Sequence, residues 1–213
     1  MEAACEKAGR DPASVRLVAV SKTFGPDAVA AVAAAGIDVF GENRVQEAAQ
    51  KIPLAPGRLH WHLVGHLQSN KAKLAVRLFD TIHSIDSLKL LKLVDAQCAE
   101  AGRRMTVFLE VNVSGEPSKF GLAPEQAPPV LEAIASCHHA EVQGLMTVPP
   151  FTPDPADAAP HFRRLRELRD HWQDAFQLAL PELSMGMSHD LDVAIAEGAT
   201  WVRVGSALFG ERE

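Results

Sequence analysis

Two hydrophobic rhythms alternate along the chain. Leu17-Val18-Ala19-Val20-Ser21-Lys22 is a short run of small and apolar residues that reads as a buried strand and ends on a lysine. Pro26-Asp27 then opens an Ala/Val-rich segment through Ala35 that Gly36 closes, which is how a helix begins and ends. The pair repeats: strand-like 37–41 before helix-like 42–51, which Pro53 stops; 61–65 before 69–77; 81–85 before 87–101; 106–113 before 124–136; 142–147 before 156–179; 182–185 before 190–197; and a last strand-like run, 201–205. Residues 1–16 predict a short helical piece, a turn at Gly9-Arg10-Asp11-Pro12 and the approach to the first strand.

Strands alternating with helices require parallel pairing through crossovers, and eight of them in this length predict an α/β fold, a single closed (β/α)8 TIM barrel. A doubly wound open sheet is the alternative. Two features favour the barrel: no GxGxxG follows the first strand, and polar residues stand at the carboxyl ends of nearly all the strands rather than at one switch point. The loop Pro149-Pro150-Phe151-Thr152-Pro153-Asp154-Pro155 is the Pro-dense stretch, too short for a domain linker and suited to a semi-rigid lid or rim.

Composition narrows the class. A chain of 213 residues suits one domain that buries roughly 70% of the surface of its unfolded chain. With 47% hydrophobic and 23% charged residues and no apolar run as long as a membrane span, the expectation is a soluble globular protein. The start, Met1-Glu2-Ala3-Ala4-Cys5-Glu6-Lys7, lacks a basic region followed by an apolar stretch, so the expected location is the cytoplasm. A formal charge of -6 is no nucleic-acid footprint, and Arg163-Arg164-Leu165-Arg166 reads as a solvated helix face. Cys5, Cys98 and Cys137 are odd in number and far apart, which points to free thiols rather than a disulfide framework or structural zinc.

In a barrel the carboxyl ends of the strands converge on one mouth. There stand Lys22, Gly41-Glu42-Asn43, His62 to His66, Ser84, Asp86, Asn112, Met146-Thr147, Ser184 to Ser188, and Arg203 to Ser206. Val18, Val20 and Lys22 share a parity, so the amine faces the same way as two valines. Desolvation there disfavours the ammonium, and a neutral amine attacks aldehydes; the alternative is a strand-end lysine that snorkels to water. Leu183-Ser184-Met185-Gly186-Met187-Ser188 puts hydroxyls and a glycine just before a helix, and Gly205-Ser206 ends the last strand in the same style. Each alone could be an N-cap with a turn; as a pair after strands seven and eight they match the place where barrels bind phosphate. Lysine with phosphate suggests pyridoxal 5'-phosphate (PLP). Parity aims Arg203 into the barrel, either to meet a glutamate such as Glu110 or to face a pyridine nitrogen, where a permanent cation keeps that nitrogen unprotonated. His60, His62 and His66 offer a competing metal site, because H-x-H on a strand can hold a metal from one face. Strands five, six and eight end in residues poor for a metallohydrolase, so hydrogen-bonding histidines are the preferred reading.

These residues carry a resemblance. Val18-Ala19-Val20-Ser21-Lys22-Thr23, Phe40-Gly41-Glu42-Asn43-Arg44-Val45-Gln46-Glu47, the Trp61 to Lys71 segment, Val111 to Gly121, Gly144-Leu145-Met146-Thr147, Leu183 to Ser188 and Gly198 to Gly210 resemble the pyridoxal phosphate homeostasis proteins, in family order from about Val15 to Gly210. The resemblance implies one domain over residues 1–213: a barrel similar to the N-terminal domain of bacterial alanine racemases, without their C-terminal β domain; the sequence departs from the family in a shortened N-terminal helix. It implies PLP as an internal aldimine on Lys22. Asn43 and Met185 would line the cofactor, Ser188, Gly205 and Ser206 would hold its phosphate, and Arg203 would meet the pyridine nitrogen. Ser184 and Gly186 are weaker candidates, and Lys119 matches a family lysine at the mouth that is either a transfer residue or a solvated loop lysine.

The implied role is buffering or delivery of PLP to apo PLP-dependent enzymes, by a monomer that binds neither nucleic acid nor membrane, with no catalytic residue and no metal. A PLP-dependent amino-acid racemase or lyase is the alternative. Against it, a two-base racemase takes its second acid/base, a tyrosine, from the β domain, and this chain contains no tyrosine.

Overall fold

The structure is a computed structural model that describes residues 1–210. Eight parallel strands run β1 (Arg16–Val20), β2 (Val39–Glu42), β3 (His60–Leu63), β4 (Thr81–Ile85), β5 (Met105–Glu110), β6 (Ala140–Met146), β7 (Glu182–Met187) and β8 (Trp201–Val204). They pair in chain order and close into a barrel, with Arg16 beside Trp201 and Ala19 beside Val204 where β1 meets β8. Between them lie α2 (Pro26–Ala34), α3 (Val45–Lys51), α4 (Ala72–Leu78), α5 (Leu88–Glu100), α6 (Pro128–Ile134), α7 (Ala159–Phe176) and α8 (Leu191–Ala196), with α1 (Glu2–Lys7) before the barrel. The expected order of strands and helices is the observed one. The domain expected over residues 1–213 reaches past the description, since residues 211–213 lie outside the described residues.

Local chemistry explains the boundaries. Pro26 opens α2 after Gly25, where a missing N–H costs nothing, and the Ser87 hydroxyl accepts the Leu90 N–H at the start of α5. In α7 the buried residues Phe162, Leu165, Leu168 and Trp172 recur at helical spacing and face the sheet, each burial contributing about 1.5–3 kcal/mol. Its basic run is a surface face, as expected: Arg163 and Arg166 both bond Glu197, at 2.6 and 3.0 Å. Two strands end earlier than their apolar runs. The ladder of β1 stops at Val20, which leaves Lys22 in the following turn, and β5 stops at Glu110 because Asn112 turns its side chain to the loop backbone. A short helix, α9 (Ser206–Phe209), follows β8 and was not expected. The three cysteines are free thiols; Cys5 and Cys98 are buried, and burial pushes the Cys98 thiol up to about 11.

The barrel interior is layered. At its lower end Arg16 lies over the Trp201 ring, 4.2 Å from the centroid. His62 packs between Trp201 and His83, each 5.1 Å away by ring centroids, and His83 stacks on Phe108 at 4.4 Å. A polar thread runs through these rings: His62 Nδ1 to His83 Nε2 at 3.0 Å, His83 Nδ1 to Ser184 Oγ at 2.8 Å, and Arg203 Nη1 donating to Ser184 Oγ at 2.8 Å. Desolvation lowers His62 to about 3 and His83 well below its ordinary value, so both rings are neutral and the one hydrogen bond between them uses a single proton. The two histidines of H-x-H do not converge: His60 sits half-exposed 3.8 Å from Asp80 at the strand's start, while His62 is inside. Glu110, buried at the upper end of β5, has no hydrogen-bond partner at Oε2, and burial pushes its carboxyl up to about 7, with Asp86 adding and Arg203 opposing.

Two outcomes test this packing. A Cβ on Gly144 would sit 1.9 Å from the Glu182 carbonyl oxygen, a backbone atom that cannot move without parting β6 from β7. Gly144→Ala is expected to cost about 3 kcal/mol or more, roughly 6–12 °C in the thermal midpoint; an unchanged midpoint would refute the close approach. Glu110 keeps its proton in the fold between its ordinary 4.5 and about 7, where the unfolded chain has released it. Its contribution therefore falls as pH rises through that window, with a full cost on the order of 3 kcal/mol above it. Glu110→Gln should gain stability over the parent at about pH 8 and lose that gain at about pH 4; calorimetry showing a pH-independent difference would contradict the assignment.

Candidate cofactor site

The carboxyl ends of β1, β2, β7 and β8 surround a cavity of about 280 Å³, near the lower end for small-molecule sites and suited to one substituted ring. Six of the expected residues line it: Lys22, Asn43, Ser188, Arg203, Gly205 and Ser206. Val20, Val64, Val148, Met187 and His189 complete the wall. The floor is apolar for a stated reason. Val18, Val20 and Val64 form their own buried cluster, and Gly41 lies so close that a Cβ there would be 2.7 Å from Val18 Cγ1. Lys22, although it stands in the turn after the β1 ladder has ended, lines the same cavity as Val20. The Lys22 side chain is half-buried at the edge of this floor.

Arg203 is buried and its guanidinium is held on two sides, by Ser184 Oγ and by the Thr147 carbonyl, each at 2.8 Å. The expected alternative, an ion pair with Glu110, is not among the ion pairs of the described residues, although that carboxyl contributes to the field at Arg203. Desolvation lowers the guanidinium to about 10, so it remains a cation at neutral pH. A hydroxyl and a carbonyl fix its direction without neutralising it, which leaves its charge for whatever enters the cavity.

Ser188, Gly205 and Ser206 line the same cavity and bring backbone donors together in a cradle. Ser188 Oγ accepts the N–H groups of Gly205, at 3.2 Å, and Ala207, at 3.4 Å, so these two donors converge on one point. The Asp190 carboxylate accepts the Met187 N–H at 2.6 Å and locks the turn that presents Ser188. Phe24 stacks on Phe209 with centroids 5.1 Å apart, tying the turn after β1 to α9, so the lysine and the cradle are held by one another. Lysine, fixed cation and converging N–H donors are the donor set that a phosphorylated aldehyde needs.

Met185 is the expected site residue that lies elsewhere. It is fully buried in the layer between sheet and helices, and Met187 takes the place at the cavity. Strict alternation would put Met185 and Met187 on one face. Gly186 breaks it: its φ of 93° and the register shift between Ser184 and Met187 form a bulge, and a Cβ at Gly186 would point at Ala194 on the outer side. Ser184 is buried and serves Arg203 and His83 rather than the cavity surface.

Of the remaining strand-end residues, Ser84 bonds the Gly65 carbonyl at 2.7 Å, Thr147 bonds the Val111 carbonyl at 2.8 Å, and His66 lies 3.2 Å from Asp86 beneath the exposed ring of Phe120. Asn112 organises the 112–121 loop, whose Lys119 is outside the cavity lining. The Pro-rich loop is a rim: Val148 lines the cavity, and the Thr152 carbonyl lies 3.0 Å from His189 Nε2. His83 and the buried Lys51 were missed. Neither has a local signal, because a lone histidine or a helix-end lysine reads the same whether buried or exposed.

The chain is similar to known proteins along nearly its whole length. The chain is 44% identical over 214 residues to the pyridoxal phosphate homeostasis protein of Aquifex aeolicus, covering 100% of this chain and 94% of that one. It is 46% identical over 211 residues to the protein of the same name from Pseudomonas aeruginosa, covering 99% and 90%. Among solved structures, PipY of Synechococcus elongatus with PLP bound superposes with a TM-score of 0.87 at 41% identity, covering 98% of this chain and 99% of that one. An alanine racemase of Clostridium difficile shares the fold, with a TM-score of 0.68 at 16% identity, and this chain covers 56% of its length. The model of the family described as alanine racemase, N-terminal domain, matches residues 3–213, and the chain belongs to that family.

Proposed function

We propose that this chain is a PLP-binding homeostasis protein that holds the cofactor as a Schiff base on Lys22 and buffers or delivers it without turnover of its own. The observation that carries this reading is the single cavity bounded by Lys22, Arg203 and the Ser188–Gly205–Ser206 cradle. The names of the relatives and the PLP-bound PipY structure support it.

When bound, the cofactor supplies an aldehyde on an electron-withdrawing ring. Lys22 would hold the cofactor through its side-chain amine, a group that can condense with an aldehyde with loss of water and that a second amine can displace. Ser188, Gly205 and Ser206 hold the phosphate, and Asn43 and Met187 flank the ring, Met187 in the part expected of Met185. Arg203, which lines the cavity, would meet the pyridine nitrogen. A cation there keeps the nitrogen unprotonated and the ring a weak electron sink, which favours holding over carbanion chemistry. The absence of tyrosine from the sequence removes the partner base that racemisation uses. We read the protein as a cytoplasmic monomer whose recipients are apo PLP-dependent enzymes; no helix among the described residues is long and apolar enough to cross a membrane.

Two measurements test the reading. The protein mixed with PLP should turn yellow, lose its visible absorbance on borohydride reduction and gain the cofactor's mass at Lys22, while Lys22→Ala gains none; a colourless parent would overturn the proposal. Incubated with L- and D-amino acids, the loaded protein should show no catalytic exchange of the α-proton with solvent, yet transfer PLP stoichiometrically to an apo-enzyme. Turnover in the exchange assay would favour the racemase or lyase reading instead.

A further inference from the structure

A buried ion cluster lies outside the cavity, between β1, β2 and α3. The Lys51 ammonium, 5% exposed, uses all three of its donors: Ser21 O at 2.7 Å, Glu42 Oε1 at 2.5 Å and Glu47 Oε1 at 3.0 Å. Glu42 is fully buried and its Oε1 also accepts the Ser21 hydroxyl at 2.6 Å. Glu47 Oε1 in turn accepts the Thr23 N–H at 2.6 Å. These bonds fall on the residue before Lys22 and the residue after it. None of Ser21, Glu42, Glu47 or Lys51 is among the residues that line the cavity.

The turn they hold is an unfavourable one. Phe24 N–H donates to Ser21 O at 3.0 Å, so residues 21–24 form a β-turn with Lys22 second and Thr23 third. Thr23 has a φ of 71°, at a position where turns of this hand use glycine or asparagine. A β-branched residue there is a true outlier that persists only where its surroundings enforce it. The enforcing contact is Glu47 on the Thr23 N–H, backed by Lys51. A cluster buried at this cost of desolvation could have been replaced by apolar packing if docking α3 on the barrel were its whole role.

We propose that Glu47, Lys51 and Glu42 are positioning residues for Lys22, a clamp on the two peptide groups that flank it, holding the left-handed Thr23 turn so that the Lys22 amine is aimed into the cavity. The proposal rests on the reading of Lys22 as the PLP anchor. Loss of the clamp lets the turn relax toward negative φ at Thr23, and Lys22 leaves its alignment over the valine floor. The consequence is faster exchange of the bound cofactor with an external amine, with the phosphate cradle and Arg203 untouched.

The test uses the PLP-loaded protein, with the loss of visible absorbance on adding hydroxylamine as the rate of exchange. Glu47 is partly exposed, so Glu47→Ala keeps the fold, which thermal unfolding and circular dichroism check. Its exchange is expected to be about tenfold faster than the parent's, and Glu47→Gln, which keeps an acceptor oxygen, should lie nearer the parent. The decisive variant is Thr23→Gly combined with Glu47→Ala: glycine adopts the positive φ unaided and should restore exchange to within about twofold of the parent. A helix-docking role would not be rescued this way. Parent-like exchange in Glu47→Ala, or a defect that Thr23→Gly leaves in place, overturns the clamp while PLP binding stands. A parent that takes no colour with PLP overturns both.

Discussion

The pairing of β8 with β1 is the contact on which the site depends. It sets Ala19 beside Val204, so the turn that carries Lys22 and the turn that carries Gly205 and Ser206 leave the barrel side by side. Without closure the lysine and the Ser188–Gly205–Ser206 cradle would stand at opposite edges of an open sheet. Closure is a collective property: each of the eight ladders must tilt and shear alike, and bulges in β4–β5, β5–β6 and β7–β8 take up the mismatch. The last of these bulges also shapes the cavity, because it turns Met187 to the lining and leaves Met185 to the core.

Polar groups are buried at two depths and for two purposes. Inside the barrel, the His62–His83–Ser184–Arg203 thread spends its hydrogen bonds on aiming one guanidinium, and the neutral imidazoles leave that guanidinium as the cation of the thread. Outside it, Lys51 and Glu42 pair in the layer between sheet and helix, next to the backbone on either side of Lys22. Both arrangements act on a cavity residue from behind. The cavity lining itself combines valines with Lys22 and Arg203, and Asn43, Met187, Ser188, His189 and Ser206 complete its polar and flexible part.

Much of this was legible in order along the chain. Period-two and period-3.6 runs predicted every strand and the helices between them, because burying one face of each element leaves a local mark on composition. Lys22, Asn43, Ser188, Arg203, Gly205 and Ser206 were legible for a related reason: a strand end in a barrel has a known destination, so position along the strand stands in for position in space. Met185 failed that logic at one point, where Gly186 adopts a φ of 93° and the alternation slips by a residue. The ends of β1 and β5 also slipped, since a run of apolar side chains does not reveal where the backbone ladder stops.

Element order, barrel class, the apolar floor beside Lys22 and the types of group at the mouth were all readable along the linear chain. These follow from side-chain chemistry and strand parity, which are properties of residues near one another in the chain. The folded molecule alone reveals that Arg203 is held by Ser184 and Thr147 rather than by Glu110, that His62 bonds His83, and that Lys51 and Glu47 bond the residues on either side of Lys22. Those partners lie on different elements, and what selects among them is desolvation: a buried charge or N–H must take whichever acceptor the packed fold brings within reach, and the linear sequence does not say which that is.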